Sequence, residues 1–402
     1  MGRVMTYKKW VIGVALAILV ATLATLGVLA FSTSVQNGLM RRHFARTIGV
    51  ERTDLMSTDA LRVAICGSAS PMPDASRAQS CAVVCAAGKY WIVDAGPGSW
   101  DRIARWGIPH RLIGGVFITH FHSDHIGALG EFNMQSWALG RPEQLAVYGG
   151  PGIEKVVAGF NDAYALDRTY RTAHHGPKLM PPSTGPMRAI TIAATDGGPL
   201  RGEASTTVLE VDGMKVTAVA VDHHPVEPAY GFRFDFAGRS VVFSGDTTKT
   251  RGLAIVAKGA DLLVHSAQAQ DLVEIMEAEA ARAGQERMRS IFADIRTYQS
   301  KPADVAAVAS EAGVRAIVMT HLNPPLPNWL AERVFRRGTE AAGSAWRATA
   351  CSSPCRPAKP TSSTARSRID APRLKARRRA PAFTSRGAPF EARRWAGRTS
   401  RG

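Results

Sequence analysis

Short apolar runs alternate with helix-like stretches along the chain beyond residue 56. The runs are rich in β-branched residues, and turns such as Asp212-Gly213 and Ala237-Gly238 join several of them into hairpins. This alternation predicts sheets covered by helices within one large domain, from about residue 57 to residue 337. The predicted strands are LRVAIC, SCAVVCA, YWIVDAG, GGVFITH, QLAVYGG, AITIAA, TTVLEVDG, KVTAVAVDHH, YGFRFDFAG, RSVVFSGD, DLLVHSA and AIVMTHL, and the predicted helices follow His125 or span residues 151–167, 271–283 and 302–312.

The N-terminal region departs from this pattern. Lys8 and Lys9 are followed by 22 residues without a charge, Trp10 to Phe31, and a helix of that length is about 33 Å long, enough to cross a bilayer. A cleaved signal peptide usually has a shorter apolar region of about 7–15 residues. We therefore expect residues 1–40 to form a membrane anchor, with a cleaved signal as the alternative. Because the lysines abut the apolar segment, we expect the domain on the outer, periplasmic side.

The formal net charge of +17 is concentrated at the C-terminal end. Residues 338–402 contain 15 Lys+Arg against 3 Asp+Glu, and too few large apolar residues for a core. We therefore expect a basic, disordered tail over these residues, and the net charge does not imply a basic patch on the domain itself. Binding of nucleic acid through the tail is the non-enzymatic alternative for the function, although a nucleic-acid partner is not favoured.

The five cysteines have no C-x-x-C spacing, which argues against a zinc knuckle or a redox motif. Cys81 and Cys85 lie on one predicted strand, where they would be about 13 Å apart and unable to bond to each other. Cys66 could reach one of them across neighbouring strands. Buried free thiols are nevertheless the expectation for these residues.

Residues that bind metals follow four of the predicted strands at the point where each strand ends. Histidine and aspartate are common zinc ligands, and strand ends hold side chains rigidly while leaving an open mouth for a substrate. The densest group is THFHSDH. The candidates are His120, His122, Asp124, His125, His223 or its neighbour His224, Asp246 and His321.

The spacing within THFHSDH indicates two neighbouring metal positions. In an extended turn, His120 and His122 project to the same side and can hold one ion. Asp124 and His125 begin the following helix and turn toward a second position. Two ions a few ångströms apart need a bridging carboxylate, and Asp246 is the candidate.

The segment THFHSDH resembles the H-x-H-x-D-H signature of the metallo-β-lactamase fold. The segments VDHHPVEPAYGFRF, VVFSGDTTKT, ADLLVHSA and VMTHLNPP are similar to the ribonuclease Z and arylsulfatase-like branch of that family. The resemblance extends from about Arg62 to Pro327. It implies an α/β fold of the αββα type, a sandwich of two mixed sheets flanked by helices.

The resemblance also implies a ligand for each position of a dinuclear zinc centre. His223 is favoured over His224 because its spacing to Gly231, within the downstream segment PVEPAYGF, fits the arylsulfatase-like motif. Asp124 is the expected catalytic residue, which would orient a zinc-activated hydroxide. The implied ligands are His120, His122 and His223 for one Zn²⁺, Asp124, His125 and His321 for the second, and Asp246 as the bridge.

The expected function is that of a dinuclear zinc hydrolase of phosphodiester or related anionic ester bonds, acting on a small-molecule or other ester substrate. The alternatives on the same centre are an arylsulfatase, a lactonase, and a ribonuclease Z-type endonuclease that processes tRNA 3′ ends. Many ribonuclease Z-like sequences have glutamate after the histidine of ADLLVHSA, whereas this chain has Ser266 after His265. This difference, together with the expected export, disfavours tRNA processing. The membrane is the expected partner of the N-terminal segment.

Overall fold

The structure is a computed structural model that describes residues 2–56, 58–340 and 349–350. Most of the tail predicted for 338–402 therefore lies outside the described residues. The described residues belong to one compact unit.

Apolar β-branched runs form the first of two mixed sheets. Its strand order is β1-β2-β3-β4-β5-β6, with antiparallel pairing from β1 to β3 and parallel pairing from β3 to β6. The positive φ angles of Ala87 (54°) and Gly88 (71°) allow the tight turn between β2 and β3. The strands are β1 Arg62–Gly67, β2 Cys81–Ala86, β3 Lys89–Val93, β4 Ile113–Phe117, β5 Leu145–Gly149 and β6 Met187–Thr191.

The second sheet repeats this succession of antiparallel and then parallel strands. Strands β7 to β10 pair antiparallel, and β10 to β13 pair parallel. The predicted turns Asp212-Gly213 and Ala237-Gly238 join β7 to β8 and β9 to β10. The strands are β7 Ser205–Val211, β8 Met214–Ala220, β9 Tyr230–Phe236, β10 Arg239–Phe243, β11 Leu262–Gln268, β12 Ile317–Asn323 and β13 Thr349–Ala350.

The two sheets pack face to face through aromatic side chains. The ring of Phe117 on β4 stacks on Tyr148 at 4.5 Å and contacts Phe232 and Phe234 of the other sheet at 5.3 and 5.2 Å between ring centroids. These rings are buried, so their contact excludes a large apolar area from water. They form the centre of the main core.

Helices cover the outer face of each sheet. Separate apolar clusters fill the space between the first sheet and α3, α5 and α6, and between the second sheet and α8, α11 and α12. The predicted αββα sandwich is therefore confirmed. The helices are α1 Gly2–Phe31, α2 Thr33–Thr47, α3 Ser99–Ala104, α4 Ser123–Ile126, α5 Leu129–Ala138, α6 Ile153–Ala163, α7 Ala165–His175, α8 Arg251–Val256, α9 Gln270–Arg282, α10 Glu286–Ile295, α11 Pro302–Ala312 and α12 Asn328–Glu340.

The N-terminal helix α1 contains Lys9–Phe31, which is long and apolar enough to cross a membrane and has none of its residues buried. Helix α2 likewise buries no residue. Contact with the domain begins with the residues after it, because Arg52 N–H donates to the carbonyl of Gly107 at 2.7 Å and Met56 is buried. Length and composition thus allow α1 to be an anchor or a signal segment.

Cys66 and Cys81 form a disulfide between β1 and β2, with 5.0 Å between their Cα atoms. The expectation of free thiols is therefore wrong for this pair, whereas Cys85 is free and buried as expected. The physical reason is the register of the two strands. Ile65 pairs with Ala82 and Gly67 with Cys81, so the antiparallel register brings Cys66 next to Cys81 at the end of β2.

Candidate metal centre

The predicted ligands come together at one edge of the sandwich. The turn after β4, the loop after β8, the loop after β10 and strand β12 supply them. The side-chain nitrogen and oxygen atoms that could bind an ion form three overlapping groups, and within each group they lie within 4.8 Å of one another. The groups are His120, His122 and His223; His120, His125 and Asp246; and Asp124, His125 and His321.

The first group is made of three histidine rings. His120 Nε2 lies 2.9 Å from His122 Nδ1, and the ring centroids of His120 and His223 are 4.9 Å apart. His122 is the exposed member, while the other two are buried. This group therefore opens to solvent through His122.

The other two groups share His125 and combine imidazole nitrogens with carboxylate oxygens. Together they are called the second ligand group. His321 Nε2 lies 3.1 Å from Asp124 Oδ2 and 3.0 Å from Asp246 Oδ2. His125 Nε2 lies 3.4 Å from Asp124 Oδ2 and 3.6 Å from Asp246 Oδ2. Because Asp246 Oδ2 is also 3.9 Å from His223 Nε2, this carboxylate lies between the two groups.

The chemistry of these side chains fits divalent cations. The Nε2 atoms of His125 and His223 are buried and have no hydrogen-bond partner among the described residues. Burial lowers the pKa of the His120 and His223 rings, which favours the neutral form that donates a lone pair to a metal. An ion between the groups would satisfy both nitrogens and neutralise the buried carboxylates.

The two carboxylates are held in their charged form. Burial alone would raise the pKa of Asp124, but the nearby rings of His125 and His321 hold it well below its usual range. Asp246 is fully buried, yet the charges of His321 and His125 lower its pKa in the same way. In return, nearby carboxylates outweigh burial and raise the pKa of both histidines, with Asp94 acting most strongly on His125 and Asp246 on His321. Metal binding at this group must therefore displace protons.

A family model described as the beta-lactamase superfamily domain matches residues 90–322, which is more than half of the chain and includes every predicted ligand. The chain belongs to the metallo-β-lactamase superfamily. It is accordingly a metal-dependent hydrolase of that superfamily.

Curated relatives narrow the comparison within the superfamily. Ribonuclease Z of Mycobacterium avium (strain 104) is 35% identical over 269 residues, covering 66% of this chain and 87% of the relative. Ribonuclease Z of Mycobacterium marinum is 35% identical over 269 residues, covering 66% and 88%. The metallo-β-lactamase fold protein YhfI of Bacillus subtilis superposes with a TM-score of 0.51 at 16% identity, covering 74% of this chain and 98% of that protein, and so has the same fold.

Sequence reasoning missed Asp94, which supports the metallo-β-lactamase centre from behind. Its Oδ2 lies 2.8 Å from His125 Nδ1, and its Oδ1 accepts the backbone N–H of Thr119 at 2.9 Å. Asp94 and His321 both have positive φ angles, 59° and 50°, which non-glycine residues adopt at a cost and mostly at functional sites. One sign of this role was present in the sequence. Asp94 stands at the end of the apolar run YWIVD, just as the other candidate residues stand at the ends of predicted strands.

The segment Tyr298 to Ser300, which precedes α11, was also missed. The Tyr298 carbonyl accepts from His223 Nδ1 at 3.1 Å, and Gln299 Nε2 donates to Asp246 Oδ2 at 2.8 Å. Ser300 Oγ donates to the carbonyl of Thr247 at 2.8 Å. Nothing in the local sequence marks these residues, because their role arises only when α9 and α10 return the chain to the centre.

The structure separates the remaining histidines from the ligand groups. His224 is exposed, and its backbone N–H donates to Asp222 Oδ1 at 3.2 Å. His265 is fully buried, with Nδ1 2.7 Å from the carbonyl of Ser266, and burial lowers its pKa to about 4. Neither belongs to the groups that the described residues form.

The disulfide-closed loop, residues 67–80 between Cys66 and Cys81, packs directly behind the second ligand group. The Ser80 carbonyl accepts from Gly96 N–H at 2.9 Å, and the Ser68 carbonyl accepts from Leu322 N–H at 2.9 Å, next to His321. A Cβ atom on Gly96 would lie 2.2 Å from the Asp124 carbonyl oxygen, so only glycine fits there. The loop thus touches both the Asp124 side and the His321 side of the centre.

A cleft of about 640 Å³ opens beside His223 and His224. Arg201 and Arg251 lie on its lining, where Arg201 pairs with Glu227 at 2.6 Å and Arg251 with Glu203 at 3.5 Å. The cleft is large enough for a small-molecule ligand.

Proposed function

We propose that this domain hydrolyses phosphodiester or related anionic ester bonds and holds two zinc ions per chain. The position of Asp246 supports this proposal most directly. Its Oδ2 lies within 3.0, 3.6 and 3.9 Å of nitrogens from both ligand groups, which is the place of a bridging carboxylate. The proposed ligands are His120, His122 and His223 for one ion, Asp124, His125 and His321 for the other, and Asp246 for both.

The domain's residues prepare the centre for hydrolysis. Zinc, when bound, supplies a Lewis acid that activates water and offsets the charge that develops on a phosphoryl group. Asp124 is charged, buried and directed at the centre, so we assign it the orientation of the attacking water. The surrounding hydrogen bonds from Asp94, Gln299 and the Tyr298 carbonyl fix the ligands, which lowers the cost of reorganisation during the reaction.

RNA cleavage of the ribonuclease Z type is the second candidate, favoured by the named relatives at 35% identity. An RNA substrate also carries phosphodiester bonds, so the same centre would serve both reactions. Two features disfavour precursor tRNA as the substrate. Ser266 replaces the glutamate of many ribonuclease Z-like sequences, and the proposed location of the domain is outside the cytoplasm. Arylsulfatase and lactonase activities remain alternatives on the same centre.

The proposed location is outside the cytoplasm, with α1 as membrane anchor or signal segment. Lys9–Phe31 has the length and hydropathy of a membrane span. The Cys66–Cys81 disulfide adds independent support, because disulfides persist in oxidising compartments and are rare in the cytosol. A reporter fused after the domain tests the location, since alkaline phosphatase activity requires an outer position.

A substrate panel tests the activity. The full chain, purified in detergent and loaded with zinc, should hydrolyse bis(p-nitrophenyl) phosphate faster than an aryl sulfate, a lactone or a precursor tRNA. Asp246→Ala should abolish the activity because the bridging carboxylate is lost. Efficient trimming of precursor tRNA would instead establish the second candidate, and absence of any zinc-dependent turnover would refute the hydrolase proposal for these substrates.

A further inference from the structure

The side chain of Tyr298 contacts the first ligand group, in addition to the contact made by its backbone carbonyl. Its ring meets the His223 ring edge-on, with 5.1 Å between centroids and an interplanar angle of 85°. Tyr298 is half-buried, whereas the two residues after it are buried. The side chain therefore lies where the centre meets solvent.

The position of Tyr298 is fixed by contacts to two different parts of the centre. Its own carbonyl holds His223 at 3.1 Å, and the next residue, Gln299, holds Asp246 at 2.8 Å. Ser300 then anchors the segment to Thr247, the neighbour of Asp246, at 2.8 Å. The phenol is therefore attached to a backbone segment that three hydrogen bonds tie to the centre.

The Tyr298 hydroxyl has no hydrogen-bond partner within residues 2–56, 58–340 and 349–350. The hydroxyl is not among the buried polar atoms, so it can meet a ligand that enters from solvent. A phenol stays protonated near neutral pH and is then a hydrogen-bond donor.

We propose that the Tyr298 hydroxyl donates a hydrogen bond to a non-bridging oxygen of the substrate phosphoryl group. The inference rests on the proposed phosphodiesterase function and adds a catalytic residue to it. A fixed donor beside the centre stabilises the charge that grows on that oxygen without having to reorganise. No proton is transferred in this step, so the phenol acts through its hydrogen bond alone.

Tyr298→Phe is the test, because it removes the hydroxyl and keeps the ring and the carbonyl that contact His223. A lost hydrogen bond to a charged group predicts that the full, zinc-loaded chain loses about 10-fold or more in kcat/KM for bis(p-nitrophenyl) phosphate. Binding of inorganic phosphate, measured by calorimetry, should weaken by a similar factor. Zinc content and Tm should stay unchanged.

Tyr170→Phe is the matched control, since Tyr170 is exposed on α7, outside the ligand groups, and its substitution should alter none of these values. Unchanged phosphate binding and turnover in Tyr298→Phe would overturn the inference. Loss of zinc or a lower Tm would overturn it as well, because the hydroxyl would then have a structural role. If the unmodified chain cleaves no phosphodiester, the proposed function fails, and phosphate binding alone still decides the role of Tyr298.

Discussion

Individual residues behind the proposed ligands hold the imidazole rings in place. Asp94 approaches His125 Nδ1 to 2.8 Å, so the opposite nitrogen of that ring faces the centre. The Tyr298 carbonyl does the same for His223 at 3.1 Å. Contacts of this kind orient a ligand ring and raise its basicity, and their loss typically lowers metal affinity by about 10- to 100-fold.

Asp94→Asn should therefore weaken zinc binding by about 10- to 100-fold, because asparagine keeps the shape but not the charge that supports His125. Competition with a chromophoric chelator measures the affinity. Asp167→Asn, which removes an exposed partner of Arg171, is the control and should leave zinc binding unchanged. Equal affinities in both variants would show that Asp94 does not support the metal.

The choice between two adjacent histidines gives a second residue-level prediction. His223→Ala should lose about one zinc per chain and nearly all activity, because the buried His223 ring faces Asp246. His224→Ala should keep most of both, because His224 is exposed and lies outside the ligand groups. Metal analysis that gives the reverse order would move the proposed ligand to His224.

The candidate ligands could be predicted because their chemistry is dense in short segments such as THFHSDH. Asp94 and Gln299 could not be predicted in the same way. They contact partners 31 and 53 residues away in the sequence, and a lone aspartate or glutamine carries no local pattern. Only the return of distant chain segments to one edge of the sandwich gives them a role.

At the level of elements, strands and hairpins could be predicted from apolar runs and turn residues, whereas the disulfide could not. Pairing of Cys66 with Cys81 depends on which strands are neighbours and on their register, and no periodicity reveals either. Helix α12 was also missed. It runs to Glu340, past the boundary expected at residue 337, and buries Ala331 and Phe335 against the second sheet.

The two N-terminal helices bury nothing in the domain, so their removal should be harmless. A chain that starts at Glu51 should keep its zinc content and its Tm. A chain that starts at Ala60 should melt lower by about 3–10 °C, because it loses the buried Met56 side chain and the Arg52 N–H bond to Gly107. Differential scanning calorimetry compares the two truncations, and equal Tm values would show that residues 51–59 contribute nothing.

At the scale of the whole molecule, the two sheets and the closed loop between Cys66 and Cys81 form one connected frame around the centre. Ser68 in the loop bonds to Leu322 of the second sheet, while Ser80 and Gln79 bond to the turn after β3 at 2.9 and 3.1 Å. A disulfide that closes a loop of about 15 residues lowers the conformational entropy of the unfolded chain. This effect stabilises the folded state by roughly 3 kcal/mol. The cross-link therefore acts on both sheets together.

Reduction of the Cys66–Cys81 disulfide should lower zinc occupancy from about two ions per chain to about one. The ion expected to leave is the one at Asp124, His125 and His321, because the loop packs behind that group. Zinc analysis after treatment with a phosphine reductant, which binds zinc weakly, measures the loss. Cys66→Ser should reproduce it and Cys85→Ser should not, since Cys85 is free. Full occupancy after reduction would show that the loop holds its shape without the cross-link.

Together with the proposed export, this prediction implies a maturation step for the enzyme. A newly made copy in a reducing cytoplasm has an open loop and, by the prediction above, an incomplete metal centre. The centre would be completed only after the chain reaches an oxidising compartment. A hydrolase of phosphodiester bonds assembled in this order would stay inactive among the nucleic acids of the cell that makes it. Formation of the Cys66–Cys81 disulfide would then be the step that activates it.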